Sequence, residues 1–389
     1  MANYVGFPLG SNFGWGICGR YCTLELARLG ETVLLPFVNP AQALPHDPLA
    51  AFELQRLLIS QSRWERFERR GEVVQLDGPL LVAISGKNMT PSVNGVRGTR
   101  TVGYTFFEEN VFDAAQIETA RREYDVVATG SRWCTEILQN YGLANVATVI
   151  QGVDPHVFHP LPNAKALFRD RFVVFSGGKF EFRKGQDVVI RAYQVLQDKY
   201  RDVMLVNSWF NPWNGSRDTM AASPLIRFRP SDQPHVAAVN QLLAEHGIDV
   251  RRVITLPPQV NAVQAQAYHQ TDVGLFPNRS EGGTNLVLME YMACGKPVIA
   301  TNSTGHRDVV HSQNALVISS PKTVTINSPR GERLAEWPEP NLDETVAHLE
   351  WAYHHREQLA ALGMNGAREM TARPWSRPAR EFARLLAGG

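Results

Sequence analysis

Along the N-terminal part of the chain, short apolar runs alternate with stretches of helical spacing. Tyr4 to Phe7 reads as a strand, a helix follows from about Ile17 with Tyr21, Leu24 and Arg28 in register, and Thr32 to Leu35 reads as the next strand. Apolar runs at Leu80 to Ile84, Thr101 to Thr105, Asp125 to Ala128 and Val146 to Ile150 predict further strands, with helices over Ala114 to Glu123 and Arg132 to Gln139 between the last three. Strands alternating with helices predict a parallel, doubly wound sheet. Pro155, Pro160 and Pro162 interrupt the pattern, which restarts at Phe172 with FVVFSGGKF. The next helix carries Val188, Val189, Ala192, Tyr193 and Leu196 on one face. Strands are then expected at Val203 to Val206, Val253 to Leu256, Val273 to Phe276, Pro297 to Ala300 and Ala315 to Ile318. Asn207 to Ile248 is a long connection rich in Trp, Asn and Pro, expected to carry at least one helix and to be functional.

Composition supports two domains: 389 residues, 44% hydrophobic and 20% charged, can bury a sizeable core but exceed one ordinary domain. A formal charge of +1 supplies no net field for nucleic acid, and no basic patch replaces it. Cys18, Cys22, Cys134 and Cys294 form neither a CxxC pair nor a metal-spaced set, and so read as reduced core thiols. No leader-like start and no apolar run of about 18 residues is present, so a cytoplasmic protein is expected. Ser62 to Arg70, SRWERFERR, leaves peripheral membrane contact open beside the alternative of a solvated helix with Trp64 and Phe67 turned inward.

Parallel sheets bind ligands at the carboxyl ends of their strands, so the loops leaving strands carry the candidate chemistry. Ser176-Gly177-Gly178-Lys179, with Arg183-Lys184-Gly185 behind it, offers close backbone approach and cations suited to a departing diphosphate; solvated cations before a helix are the alternative. The stretch SEGGTNLVLMEYMACGKPVIAT places Gly282, Gly283, Thr284, Asn285 and Leu286 at a helix N-terminus, which favours anions. Glu281 sits in that loop, within reach of sugar hydroxyls. Glu290 lies among Leu286, Val287, Met289 and Ala293, where an acid needs a partner such as ribose hydroxyls; an exposed helix position is the alternative. In the first half, the glycine loop Gly10 to Gly19 contributes Gly14, Trp15 and Gly16 as close-approach residues. It is not GxGxxG, and no acid placed for a nicotinamide ribose follows, which counts against a dehydrogenase. Glu108 and Glu109, in YTFFEEN, end a strand expected to point into a cleft between the domains. Either one orients or deprotonates an acceptor hydroxyl, or both cap the following segment.

Taken together, these residues resemble the retaining glycosyltransferases of family 4. Gly178-Lys179 through Lys184-Gly185 looks like the family's strand exit, Gly152-Val153-Asp154 with Phe158 and Pro160 like its interdomain segment, Ser131-Arg132-Trp133 like the motif ahead of it, and Pro374-Trp375-Ser376 like the start of its last helix. The resemblance implies the GT-B fold: α/β, two Rossmann-like doubly wound parallel-sheet domains facing a central cleft, residues 1–162 with 375–389 on the acceptor side and 163–374 on the donor side. It further implies Lys179 and Lys184 on the donor diphosphate, Glu290 on the ribose, and the base read by backbone in a loop such as Pro257 to Val260, hence Gln259 and Val260. The expected donor is a nucleotide diphosphate sugar, UDP-sugar by default, the acceptor a hydroxyl compound (a glycan, a lipid-linked compound or a small molecule), with no cofactor and no metal. Two departures matter. Eight residues separate Glu281 from Glu290 where the family usually has seven, which puts the sugar role of Glu281 in doubt. The family's N-domain histidine has no counterpart between His46 and His156, so Glu108, with Glu109 second, takes its place. A sugar-nucleotide epimerase on the same scaffold and a catalytically silent nucleotide-sugar-binding protein are the alternatives.

Overall fold

The structure, a computed structural model, describes residues 2–36, 39–68 and 73–389, the side chains of Arg66 and Glu68 excepted. Phe37 and Val38, and Arg69 and Arg70 at the end of the aromatic-basic stretch, lie outside the described residues. The chain divides into two compact units, Met1–Gly152 with Arg373–Gly389, and Val153–Ala372.

In the first unit six strands, β1 (Asn3–Gly6), β2 (Thr32–Leu34), β3 (Leu80–Ala83), β4 (Thr101–Thr105), β5 (Val126–Thr129) and β6 (Val146–Thr148), form one parallel sheet in the order β2-β1-β3-β4-β5-β6. Strands β3, β4 and β5 are buried at every residue, as helices on both faces of a parallel sheet require. Helices α1 (Gly14–Leu29), α2 (Ala114–Glu123) and α3 (Arg132–Asn140) connect them. A capping box between Asp113 and Gln116 starts α2, and the Ser131 hydroxyl, accepting from the Cys134 N–H at 3.2 Å, starts α3. The C-terminal helix Ser376–Leu386 packs on this unit: Phe382 meets Tyr104 edge-on at 4.9 Å, and Trp375 stacks on Tyr21 at 5.2 Å.

The glycine loop read from the sequence is mostly helix. α1 opens at Gly14, and a Cβ on Gly16 would lie 2.7 Å from the Gly10 backbone. This glycine serves the approach of α1 to the segment leaving β1, a contact within the protein itself. Trp64 and Phe67 pack on the first unit's core, and Arg63 pairs with Asp77. All four cysteines are buried and free, and no helix among the described residues is long and apolar enough to cross a membrane.

The second unit repeats the architecture. Strands β7 (Phe172–Gly177), β8 (Val203–Ser208), β9 (Val253–Thr255), β10 (Val273–Phe276), β11 (Val298–Thr301) and β12 (Leu316–Ile318) form a parallel sheet in the order β9-β8-β7-β10-β11-β12. That is the Rossmann order, whose chain direction switches between β7 and β10, and the crevice there is where such sheets bind ligands. Helices α4 (Gln186–Lys199) and α6 (Leu286–Ala293) follow the two switch-point strands. The 207–248 connection folds into a short helix, a 3₁₀ turn and helix α5 (His235–Glu245). An antiparallel hairpin, β13 (Lys322–Asn327) and β14 (Arg333–Glu339), was not expected from the sequence: β13 is exposed along most of its length, and its pairing rests on backbone hydrogen bonds.

Candidate active site

Both glycine-bearing exits lie at the switch point. The loop after β10 is pinned to the one after β7 through the Arg183 carbonyl, which accepts from the N–H groups of Arg279 (2.8 Å) and Ser280 (3.2 Å). Gly185, at φ 71°, brings the chain so close to Pro277 that a Cβ would sit 2.0 Å from its carbonyl oxygen. Below them Arg279 is fully buried, with all five N–H donors engaged. It makes two 2.8 Å bonds to Asp187 at the start of α4, bonds of 2.6 and 2.7 Å to Glu339 of β14, and one of 2.8 Å to the Phe182 carbonyl.

On that anchor rests a charge cluster. Lys184 Nζ lies 2.5 Å and Arg183 Nη1 3.1 Å from the two oxygens of Glu281, and Asn278 donates to the same oxygen as Lys184. Arg183 Nη2 also meets Glu181 at 2.6 Å, Lys179 Nζ stands 3.6 Å from Glu181, and the Ser216 hydroxyl donates to it. Three cations against two carboxylates leave one positive charge, held at a site where α6 presents its N-terminus. Burial alone would raise both acids. For Glu281 it is outweighed by Lys184, Arg183 and His306, which take its carboxyl down to about 2. Arg183 and Lys179 likewise hold Glu181 below the usual range.

The mouth of α6 is closed by Asn285, at φ 61°, a left-handed conformation that asparagine tolerates; its side chain accepts from the Leu288 N–H. The Asn285 amide faces His306 Nε2 at 3.2 Å. Burial takes His306 down to about 4, so at neutral pH it is a neutral acceptor toward Asn285, with Nδ1–H directed at the Thr301 carbonyl at 3.2 Å. Within α6, Glu290 is 2% exposed. Its Oε1 accepts from Asn261 at 2.7 Å while Oε2 has no hydrogen-bond partner. Burial, with Asp154 adding to it, raises this carboxyl to about 8. The buried Tyr268 hydroxyl, whose titration the Glu290 charge also shifts upward, is likewise unpartnered. An acid and a phenol left unsatisfied together call for hydrogen-bonding groups from outside the chain.

Residues 217–326 match the family described as Glycosyl transferases group 1. Over 344 residues the chain is 24% identical to a GDP-mannose-dependent alpha-(1-6)-phosphatidylinositol monomannoside mannosyltransferase of Mycolicibacterium smegmatis, covering 84% of this chain and 81% of that protein. It is 31% identical over 162 residues to a D-inositol 3-phosphate glycosyltransferase of Mycobacterium marinum, covering 40% of this chain but 30% of that one. Among solved structures, Anabaena HepE in complex with UDP and glucose superposes with a TM-score of 0.67 over the whole of both chains at 14% identity. The chain is a glycosyltransferase of the GT-B fold, whose residues 217–326 carry the match to the group 1 family.

In this glycosyltransferase the second unit draws together Gly178, Lys184, Glu281 and the Gly282–Leu286 turn. Lys179 stands at the edge of the cluster, one-third exposed, its ammonium 5.1 Å over the Trp213 ring. Gln259 and Val260 lie in the loop ahead of the 3₁₀ turn Asn261–Val263, half-buried. In the first unit, Gly14, Trp15 and Gly16 form the first turn of α1, and Trp15 packs on Phe106 at 4.2 Å. Glu108 and Glu109 do not end a strand: β4 stops at Thr105, and both acids follow in a half-exposed loop, where Lys87 approaches Glu109 at 3.7 Å. Sequence reasoning missed Arg183 as the second clamp on Glu281, and Glu181, Asn261, Asn278, Arg279 and His306 altogether. His306 follows β11, another strand exit of the same sheet, so searching every exit would have found it.

Proposed function

We propose that the protein transfers a glycosyl group, with retention of anomeric configuration, from a nucleotide diphosphate sugar to a hydroxyl acceptor. The carrying observation is the cluster of Lys179, Arg183 and Lys184 around Glu281 beside the N-terminus of α6. As the bond from the anomeric carbon to the β-phosphate oxygen breaks, charge builds on the diphosphate, and fixed cations and backbone N–H groups in a buried site stabilise that change most. The acceptor oxygen bonds to the anomeric carbon, and its proton passes to the departing phosphate oxygen. Chain cations thus do the work a metal ion does elsewhere. Glu281, both of whose oxygens are engaged, holds Lys184 and Arg183 in place and meets the sugar through any contact left once the diphosphate draws on those cations. Glu290 and Tyr268 offer unsatisfied groups to ribose hydroxyls. Glu108, with Glu109 second, is assigned to the acceptor hydroxyl.

The relative aligned over most of the chain is named for GDP-mannose and for phosphatidylinositol monomannoside, so GDP-mannose joins the UDP-sugars as a candidate donor and the lipid-linked alternative for the acceptor gains support. Thermal shift across nucleotide sugars selects the donor; a ligand at about a hundredfold excess over its Kd adds about 2.7 kcal/mol. With that donor, Lys184→Ala and Glu290→Ala should each lose most donor affinity, and wild-type affinity in both overturns the site. NMR of the product anomer tests retention, an inverted product refuting it. Full activity after chelator treatment is the expected result for metal independence.

A further inference from the structure

The 207–248 connection encloses a cavity of about 760 Å³ on the second unit, a volume typical of small-molecule sites. One wall is aromatic: Phe228 and Phe210 are part-exposed on it, Phe228 backed by the buried Phe180 at 5.7 Å, which in turn meets the buried Trp209 at 5.9 Å, and Phe210 meets His235 edge-on at 5.2 Å. Facing it, Arg227 and Arg229 line the cavity with no carboxylate within ion-pair distance among the described residues, whereas Arg217 is paired with Asp218. The one carboxylate in the lining, Glu245, accepts from Gln241. Two further features suit an anion. His235 Nε2 is buried without a partner, at the start of α5, whose N-terminus no side chain caps. The Arg227 N–H donates to His246 Nε2 at 2.9 Å, which fixes the arginine-bearing segment against the end of α5.

We propose that this cavity is a second ligand site that takes a phosphorylated sugar or polyol, its phosphate on Arg227 and Arg229 and its ring on the aromatic wall. Arginines give phosphate charge-assisted, two-point contacts; aromatic faces suit the apolar face of a sugar ring; and the lining amides of Gln233 and Gln241 match hydroxyls.

The same connection grips the loop that carries the diphosphate-facing cations. Asn211 donates to the Phe180 carbonyl at 2.9 Å, the Phe182 N–H donates to Thr219 at 3.2 Å, Ser216 donates to Glu181, and Trp213 lies under Lys179. Occupancy of the cavity is therefore coupled to donor affinity, and by linkage the coupling runs equally in both directions.

The test is calorimetric titration of the full chain with glucose 6-phosphate, myo-inositol 1-phosphate, glucose and inorganic phosphate, repeated on the double variant R227Q/R229Q, whose changes lie at exposed positions. The two phosphorylated probes should bind the wild-type protein. The double variant should bind them about tenfold or more weakly, as loss of charge-assisted hydrogen bonds implies. Glucose and inorganic phosphate, each lacking half of the contacts, should bind more weakly than either. Nucleotide titrated alone should bind the double variant as it binds wild type. Probe binding that is absent from the wild type, or unchanged in R227Q/R229Q, overturns the site. An equal loss of nucleotide affinity in that variant also overturns it, by showing the cavity to be part of the donor site. Because the readout is binding of the probes, the result stands whether or not transfer activity is found.

Discussion

The loop after β10 and the helix that follows it each bury one acid, and the two environments drive those acids in opposite directions. Glu281 has cations on both of its oxygens and stays ionised down to about pH 2, whereas Glu290 has one amide partner and an orphan oxygen and holds its proton up to about pH 8. Burial is nearly equal at the two positions, so burial alone does not decide charge; the partners do. The comparison separates a carboxylate clamped by cations from one that keeps an unpartnered oxygen.

The largest break in that comparison should come from Glu281→Ala, which leaves Lys184 buried without its acid and Arg183 with Glu181 alone. A loss of about 3–5 kcal/mol is expected, read by denaturant unfolding, with Lys184→Met/Glu281→Leu milder than either single change. The acid limb sharpens it. The folded pKa of Glu281 lies below its ordinary value of 4.5, so its contribution is complete above about pH 4.5 and is lost as pH falls toward 2.

Glu290 has the reverse sign. Its folded pKa lies above its ordinary value, so the contribution of the neutral acid is complete below about pH 4.5 and is lost as pH rises toward 8. Glu290→Gln should flatten that decline, leaving the ligand-free variant more stable than wild type by a few kcal/mol (~3) at pH 8. A pH–stability profile parallel to that of wild type would refute the assignment.

Ligand binding supplies a smaller effect. Ribose hydroxyls donating to Glu290 favour its ionised form, so nucleotide binding near pH 7 should release up to about one proton, measured by calorimetry in buffers of different ionisation enthalpy. Glu290→Gln should abolish the release. Smallest of all, Asn261→Ala removes the one amide that favours the carboxylate. It should cost about 1 kcal/mol and shift the onset of proton release to higher pH.

Much of this site could be read without coordinates, because apolar runs ending in glycine and charge mark strand exits whatever the surrounding fold. Lys179, Lys184, Glu281 and the Gly282–Leu286 turn were found that way. Arg279 was not: its partners Asp187 and Glu339 are distant in sequence and meet it through the β7–β10 switch and a hairpin whose first strand is mostly exposed. The glycine stretch before Ile17 was read for close approach to a ligand, but glycine permits close approach without saying to what. Only packing showed that Gly16 faces Gly10.

By itself, then, the sequence determined the two parallel-sheet units and the strand exits that hold the candidate site, because hydrophobic periodicity and glycine placement act locally along the chain. The tertiary structure decided which buried acid is charged, which cations are already paired and where a cavity opens beside the 207–248 connection. Those properties depend on distances between segments far apart in sequence, and electrostatic energy in a dry interior is set by such distances.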